Sequence, residues 1–145
     1  MALVDFIPVE GQRRIAQAIT EAEKRTSGEI CVHVTPRCYF SPIGKAKRKF
    51  NKLGLYKTLR RNAVLIFIAY KSQKFAIIGD TGINEALPAG FWDQEKDMLA
   101  QSLAQGRQVE GLCEVIGRIG ERLAKYFPAD REDLNELSNE ITYED

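Results

Sequence analysis

The apolar run at residues 63–70, Ala-Val-Leu-Ile-Phe-Ile-Ala-Tyr, constrains the fold more than any other feature of this chain. A strand that is apolar at every position is typical of the centre of a sheet covered on both faces, as in α/β proteins. The run is too short to cross a bilayer, since a spanning helix needs about 20 apolar residues. A polar turn at 71–73 and a second strand at 74–79 follow, and so short a link indicates an antiparallel hairpin.

Helical periodicity appears on both sides of this hairpin. Apolar residues recur at helical spacing over 8–25 and 109–127, and further helices are predicted over 41–55 and 91–103. The alternating segment 29–35 predicts another strand, with Ile30, Val32 and Val34 on one face. A helix separates it from 63–70, which favours a parallel crossover. Residues 80–90 are predicted to form a loop.

The chain reads as one soluble α/β domain over residues 1–128, followed by an acidic tail over 129–145. Within the tail, Ile141 and Tyr143 could still dock on the body as an edge strand. The chain shows no signal peptide, and three cysteines form no disulfide framework. We therefore expect reduced thiols, no membrane segment and a cytoplasmic location.

Charge is segregated although the net charge is only +1. Residues 45–61 carry basic side chains and no acid, whereas 130–145 are strongly acidic. The two segments could pair with each other, the basic one could face an anionic partner, or both could be solvated surface. Nucleic acid is not expected as a partner, because only Phe50 and Tyr56 interleave with the basic residues.

The predicted strand directions gather distant polar residues at one edge of the sheet. If the first two strands are parallel and the third reverses, the edge brings together Glu29, the triplet 60–62 and Asp80. The segment after Asp80 adds Asn84 and Glu85. It leads into a helix whose Asp93 and Asp97 lie on one face.

Two interpretations of this edge stay open. Converging oxygen ligands suit a hard cation such as Ca²⁺ or Mg²⁺, and the neighbouring Arg60 and Arg61 could hold a metal-bridged phosphate. Alternatively, Asp80 caps the following segment, Arg61 pairs with a nearby acid, and Asp93 and Asp97 favour the first turn of their helix.

The sequence lacks the motifs of several classes of enzyme. There is no Gly-rich phosphate loop and no readable nucleophile motif. The only histidine, His33, lies within a predicted strand, so histidine-based metal clusters are excluded. Cys31, His33 and Cys38 match no zinc spacing, and a buried thiol in a packed strand is the simpler interpretation.

A set of short motifs resembles the TPM domain family. They are Thr-Ser-Gly-Glu-Ile at 26–30, Arg-Asn-Ala-Val-Leu-Ile at 61–66, Phe-Ala-Ile-Ile-Gly-Asp-Thr-Gly-Ile-Asn at 75–84, Phe-Trp at 91–92, the turn at 106–111 and Tyr-Phe-Pro at 126–128. The resemblance covers about residues 6–128. It implies an α/β/α three-layer sandwich with a small mixed sheet, a divalent-metal site near Asp80 and, in some members, acid-phosphatase activity. Asn84 stands where exported members often have Glu, which removes one charge from that site.

Three functions follow as expectations. The first is a divalent-cation (Ca or Mg) binding domain that acts without catalysis through a protein partner, with Asp80, Asn84, Glu29, Asp93 and Asp97 as metal ligands. The second is a metal-dependent phosphatase of phosphate monoesters in which Arg60 or Arg61 binds the phosphate. The third is an interaction domain whose basic segment 45–61 binds an acidic surface.

Overall fold

The computed structural model describes residues 2–129 and 141–144. Its elements in chain order are α1 (Leu3–Phe6), α2 (Val9–Glu23), β1 (Glu29–Thr35), α3 (Pro42–Lys52), a 3₁₀ turn (Leu55–Lys57), β2 (Ala63–Ala69), β3 (Lys74–Gly79), α4 (Thr81–Ala86), α5 (Asp93–Ala104), α6 (Gln108–Tyr126) and β4 (Thr142–Tyr143).

The four strands form one mixed sheet in the order β3-β2-β1-β4. β1 and β2 run parallel with Glu29 opposite Ala63, and β2 and β3 run antiparallel with Val64 opposite Gly79. The predicted crossover and hairpin are therefore confirmed. β4 pairs in parallel with β1, so the end of the chain does dock as an edge strand. The predicted acidic tail otherwise lies mostly outside the described residues, which exclude 130–140.

Helices cover both faces of the sheet, as the three-layer prediction requires. On one face, the even-numbered apolar residues of β1 and β2 pack with α2 and α6 in the larger core. On the other face, Ala46 and Phe50 of α3 pack against Cys31, Leu65 and Phe67. Every residue of β2 is buried, because this strand is covered on both sides and paired along both edges.

The structure corrects the predicted loop at 80–90. Its first half is the helix α4, whose interior contains Gly82, a poor helix former. α4 has six residues, too few to show a periodic pattern in the sequence. The four-residue α1 escaped prediction for the same reason. α5 begins at Asp93 rather than at residue 91.

Candidate functional site

The starts of β1 and β2 and the end of β3 lie at the same edge of the sheet, as the strand directions predicted. We call this edge, formed by Glu29, residues 60–62 and Asp80, the rim. The backbone ties its parts together, because Glu29 N donates to Asn62 O at 3.4 Å and Asp80 N donates to Ala63 O at 2.9 Å. The predicted gathering of these residues is confirmed.

The strongest side-chain contact at the rim joins Arg61 to Asp80. The guanidinium donates from Nε to Oδ2 at 2.7 Å and from Nη2 to Oδ1 at 2.9 Å, the bidentate geometry that suits a carboxylate. Asp80 also accepts from Thr81 N at 2.7 Å and so caps α4. Its side chain is 5% exposed, whereas that of Arg61 is 47% exposed. The hydrogen bonds to Asp80 raise the pKa of Arg61 above its ordinary value.

Close backbone packing holds this ion pair in place. Arg61 lies in the left-handed region with φ of 51°, which directs its carbonyl toward α4. Gly82 N donates to that carbonyl at 2.8 Å. A Cβ on Gly82 would lie 2.3 Å from Arg60 O, so only glycine allows this approach. The glycine that weakens α4 as a helix is the residue that lets α4 dock.

The remaining predicted ligands differ in burial and in contacts. Asn84 is exposed, and its side chain donates to Gly79 O at 3.2 Å. Asp93 and Asp97 are exposed on α5, while Glu29 is buried at the start of β1. Within residues 2–129 and 141–144, no group of three or more His, Cys, Asp or Glu side chains could hold a metal ion. The residues as arranged do not fit a ready-made cation site, and the predicted ligand set stays a prediction.

Sequence reasoning missed an ion pair that joins α6 to a buried acid on α5. Glu95 is fully buried, and Arg122 Nη1 lies 2.5 Å from its Oε1 and 3.0 Å from its Oε2. The same guanidinium donates to Phe91 O at 2.5 Å and lies 3.6 Å from the centroid of the Phe91 ring. Arg122 thus anchors the segment that leads into α5. The only sequence signal is spacing, since Glu95 falls on the apolar stripe of its helix.

A groove of about 670 Å³ opens beside the rim. We call it the β3 groove. Its floor is the end of β3, one wall is α3, and the other wall is the segment from α4 to the start of α5. Its lining includes Ile43, Lys47, Ile77, Gly79, Phe91 and Lys96.

β3 and β4 are the two outer strands of the sheet, and β4 covers the side of β1 that faces away from β2. The His33 side chain is buried there, with its Nδ1 2.7 Å from Thr142 Oγ1, and burial lowers its pKa to about 4. Thr35 Oγ1 donates to Glu144 Oε1 at 3.0 Å, and Lys49 forms an ion pair with the same carboxylate. The bond from Lys49 lowers the pKa of Glu144 below its ordinary value. The three cysteines are free thiols.

Comparison with known proteins places this geometry in a family. The model of the TPM domain matches residues 3–122, which is most of the chain. This chain belongs to the TPM domain family. The predicted resemblance is therefore confirmed, together with its α/β fold.

Two solved structures resemble this TPM domain. The BA42 protein of the psychrophilic bacterium Bizionia argentinensis is 36% identical, with a TM-score of 0.91 and coverage of 99% of each chain. The N-terminal domain of cg2496 from Corynebacterium glutamicum is 14% identical, with a TM-score of 0.64, and the match covers 84% of this chain and 77% of that one. The second likeness shows the fold alone.

The comparison with curated proteins found no match. In the part of this TPM domain that the structure describes, no helix has the length and apolar character needed to cross a membrane.

Proposed function

We propose that this TPM domain binds a divalent cation at the rim and acts through a protein partner rather than by catalysis. One observation supports the proposal. Asp80 presents a buried carboxylate at the wall of the open β3 groove, and its partner Arg61 is a half-exposed side chain that can turn into solvent. A cation and the guanidinium would compete for the same two oxygens. Hard cations prefer such carboxylate ligands.

Competition gives the proposal a sharp test by calorimetric titration with Ca²⁺ and with Mg²⁺. Arg61→Gln removes the competing charge, so it should bind the cation more tightly than the wild type. Asp80→Asn removes the charged ligand and should abolish the heat of binding. Glu114→Gln, which neutralises an exposed acid on α6, serves as the control and should titrate like the wild type.

The order of the variants decides the outcome. A measurable heat that grows from wild type to Arg61→Gln and vanishes in Asp80→Asn supports a cation site at Asp80. Absence of heat in Arg61→Gln at millimolar cation would contradict it, because that variant leaves the carboxylate without its competitor. The ion pair of Arg61 with Asp80 would then serve only to hold the end of β3 against the 60–62 segment.

A metal-dependent phosphatase is the second candidate, and the juxtaposition of Arg61 with a buried acid favours it. In that function a cation would supply a bound water or hold the phosphate, while Arg60 or Arg61 would bind the phosphate oxygens. Hydrolysis of an aryl phosphate between pH 5 and 8 with Mg²⁺ or Ca²⁺ tests it. The activity should disappear in Asp80→Asn, and activity that survives in that variant would contradict a catalytic role for this carboxylate.

A further inference from the structure

The outer edge of β3 offers backbone groups to a further strand. Asp80 pairs with Ala63 through a backbone hydrogen bond, so positions 74, 76 and 78 face β2 by the alternation of an antiparallel ladder. Phe75, Ile77 and Gly79 therefore direct their N–H and C=O groups away from β2. The bond from Asn84 to Gly79 O confirms that direction for one carbonyl. Among residues 2–129 and 141–144, no strand pairs with this edge.

This edge lacks the features that usually prevent pairing with other chains. Proteins protect open edges with charged side chains, prolines, bulges or a covering segment. Residues 75–79, Phe-Ala-Ile-Ile-Gly, contain no charge and no proline, and their register with β2 runs without a bulge. At the other edge of the sheet, β4 covers β1. Apart from the contact of Asn84 with Gly79 O, the described residues leave the β3 edge open to a further strand.

The β3 groove has apolar walls that fit the side chains of an extended segment. Ile43 on α3 is 47% exposed, and Phe91 lies on the opposite wall. Two more exposed aromatic side chains, Tyr39 and Phe40, lie beside the start of the same strand, where Phe40 O accepts from Lys74 Nζ at 3.1 Å. Exposed apolar side chains gathered along one strand edge are typical of a binding site for a protein segment.

The charge of the groove selects the occupant. Asp80 is neutralised by Arg61, which leaves Lys47 on one wall and Lys96 on the other. Within the described residues, neither lysine has a carboxylate at ion-pair distance. A second copy of this chain would bring two such pairs of lysines together, which like-charge repulsion disfavours. Acidic side chains would instead meet a positive charge on each wall.

We propose that the β3 groove binds an extended acidic and apolar segment of another protein, which adds to β3 as a fifth strand. Its backbone pairs with Phe75, Ile77 and the N–H of Gly79, since Asn84 already donates to the Gly79 carbonyl. Its apolar side chains contact Ile43 and Phe91, and its acids face Lys47 and Lys96. The inference shares with the proposed function only the existence of a protein partner. It does not require a cation.

A short fluorescent peptide in which pairs of Glu alternate with pairs of Val tests the inference by fluorescence anisotropy, because this order gives each face of the strand both acidic and apolar side chains. The wild-type chain should bind it saturably, and at least about ten-fold more weakly when Lys replaces Glu in the peptide. The double variant Lys47→Glu/Lys96→Glu should reverse this preference. Lys71→Glu, an exposed charge in the turn before β3, is the matched control and should keep the wild-type preference.

Backbone pairing is tested on the peptide itself. N-methylation of one alternate set of its amides should abolish binding, while methylation of the other set should leave most of it, because only one edge of the peptide faces β3. The inference is overturned if the Glu peptide does not bind, or if both methylated peptides bind alike. It is also overturned if sedimentation shows that the chain dimerises through β3, because a second copy would then be the occupant.

The cation titration separates this inference from the proposed function. A calorimetric heat with Ca²⁺ or Mg²⁺ in a chain that does not bind the Glu peptide overturns only the strand-addition inference. Peptide binding in a chain that gives no heat with either cation supports strand addition and contradicts only the cation site.

Discussion

Removal of Arg122 should destabilise the domain strongly, because it leaves the carboxylate of Glu95 buried without its charge partner. Glu95 is 0% exposed, and three contacts of 2.5–3.0 Å join Arg122 to Glu95 and to the Phe91 carbonyl. Breaking a buried ion pair by removing one partner costs about 3–5 kcal/mol. The Arg122 side chain is 29% exposed, so water can reach part of the site and the lower end applies. We expect Arg122→Leu to lower the free energy of unfolding by about 3 kcal/mol and Tm by about 10 °C.

Urea denaturation of a small set of variants measures this effect. The double variant Glu95→Leu/Arg122→Leu removes both charges and should lie within about 1 kcal/mol of the wild type, since apolar replacement of a buried pair is often nearly neutral. Lys125→Leu, at an exposed position about one turn later on α6, is the control and should change stability by about 0.5 kcal/mol or less. A loss below about 1 kcal/mol in Arg122→Leu, or a double variant as unstable as the single one, would refute the reasoning.

Two further predictions concern Gly82 at the rim and His33 beside β4. Gly82→Ala should lower the free energy of unfolding by about 1–3 kcal/mol, because the new Cβ would meet Arg60 O. Gly117→Ala has open space around its Cβ and should raise the free energy of unfolding by about 0.5–1 kcal/mol. Urea denaturation compares the two variants, and equal effects would contradict the packing argument. Burial holds the pKa of His33 at about 4, below the ordinary 6.5. Between pH 6.5 and pH 4 the unfolded chain therefore binds more protons than the folded one, so the free energy of unfolding should decrease as the pH is lowered through this range. The loss between pH 7 and 5 should be about 1–2 kcal/mol and should disappear in His33→Gln, and a variant that keeps the full loss would show that another group titrates.

Sequence patterns predict the sheet because the number of packed faces and paired strands around each strand determines which of its residues are apolar. Residues 63–70 are apolar throughout since β2 has a covered face on each side and a strand on each edge. The short turn at 71–73 leaves no room for anything except a hairpin. The parallel crossover and the rim then follow from chain direction alone, which is why residues far apart in sequence, such as Glu29 and Asp80, could be placed together.

Local patterns could not decide what the rim residues do. The sequence allowed Asp80 to be a cation ligand, a cap or the partner of Arg61, and the structure shows the last two. Those contacts depend on the left-handed conformation at Arg61 and on the missing Cβ of Gly82, neither of which produces a periodic signal. Glu95 was hidden for a similar reason, since its burial depends on Arg122 from a helix that follows later in the chain.

Amide hydrogen exchange along β3 tests most directly whether this strand is an open edge that a partner segment completes. In the free protein, the amides of Phe75, Ile77 and Gly79 should exchange quickly, while those of Ala76 and Ile78, which face β2, should be protected. Saturation with the Glu and Val peptide should slow the first three and leave the other two unchanged. Outward amides that are already protected in the monomer, or that still exchange quickly at saturation, would contradict the account.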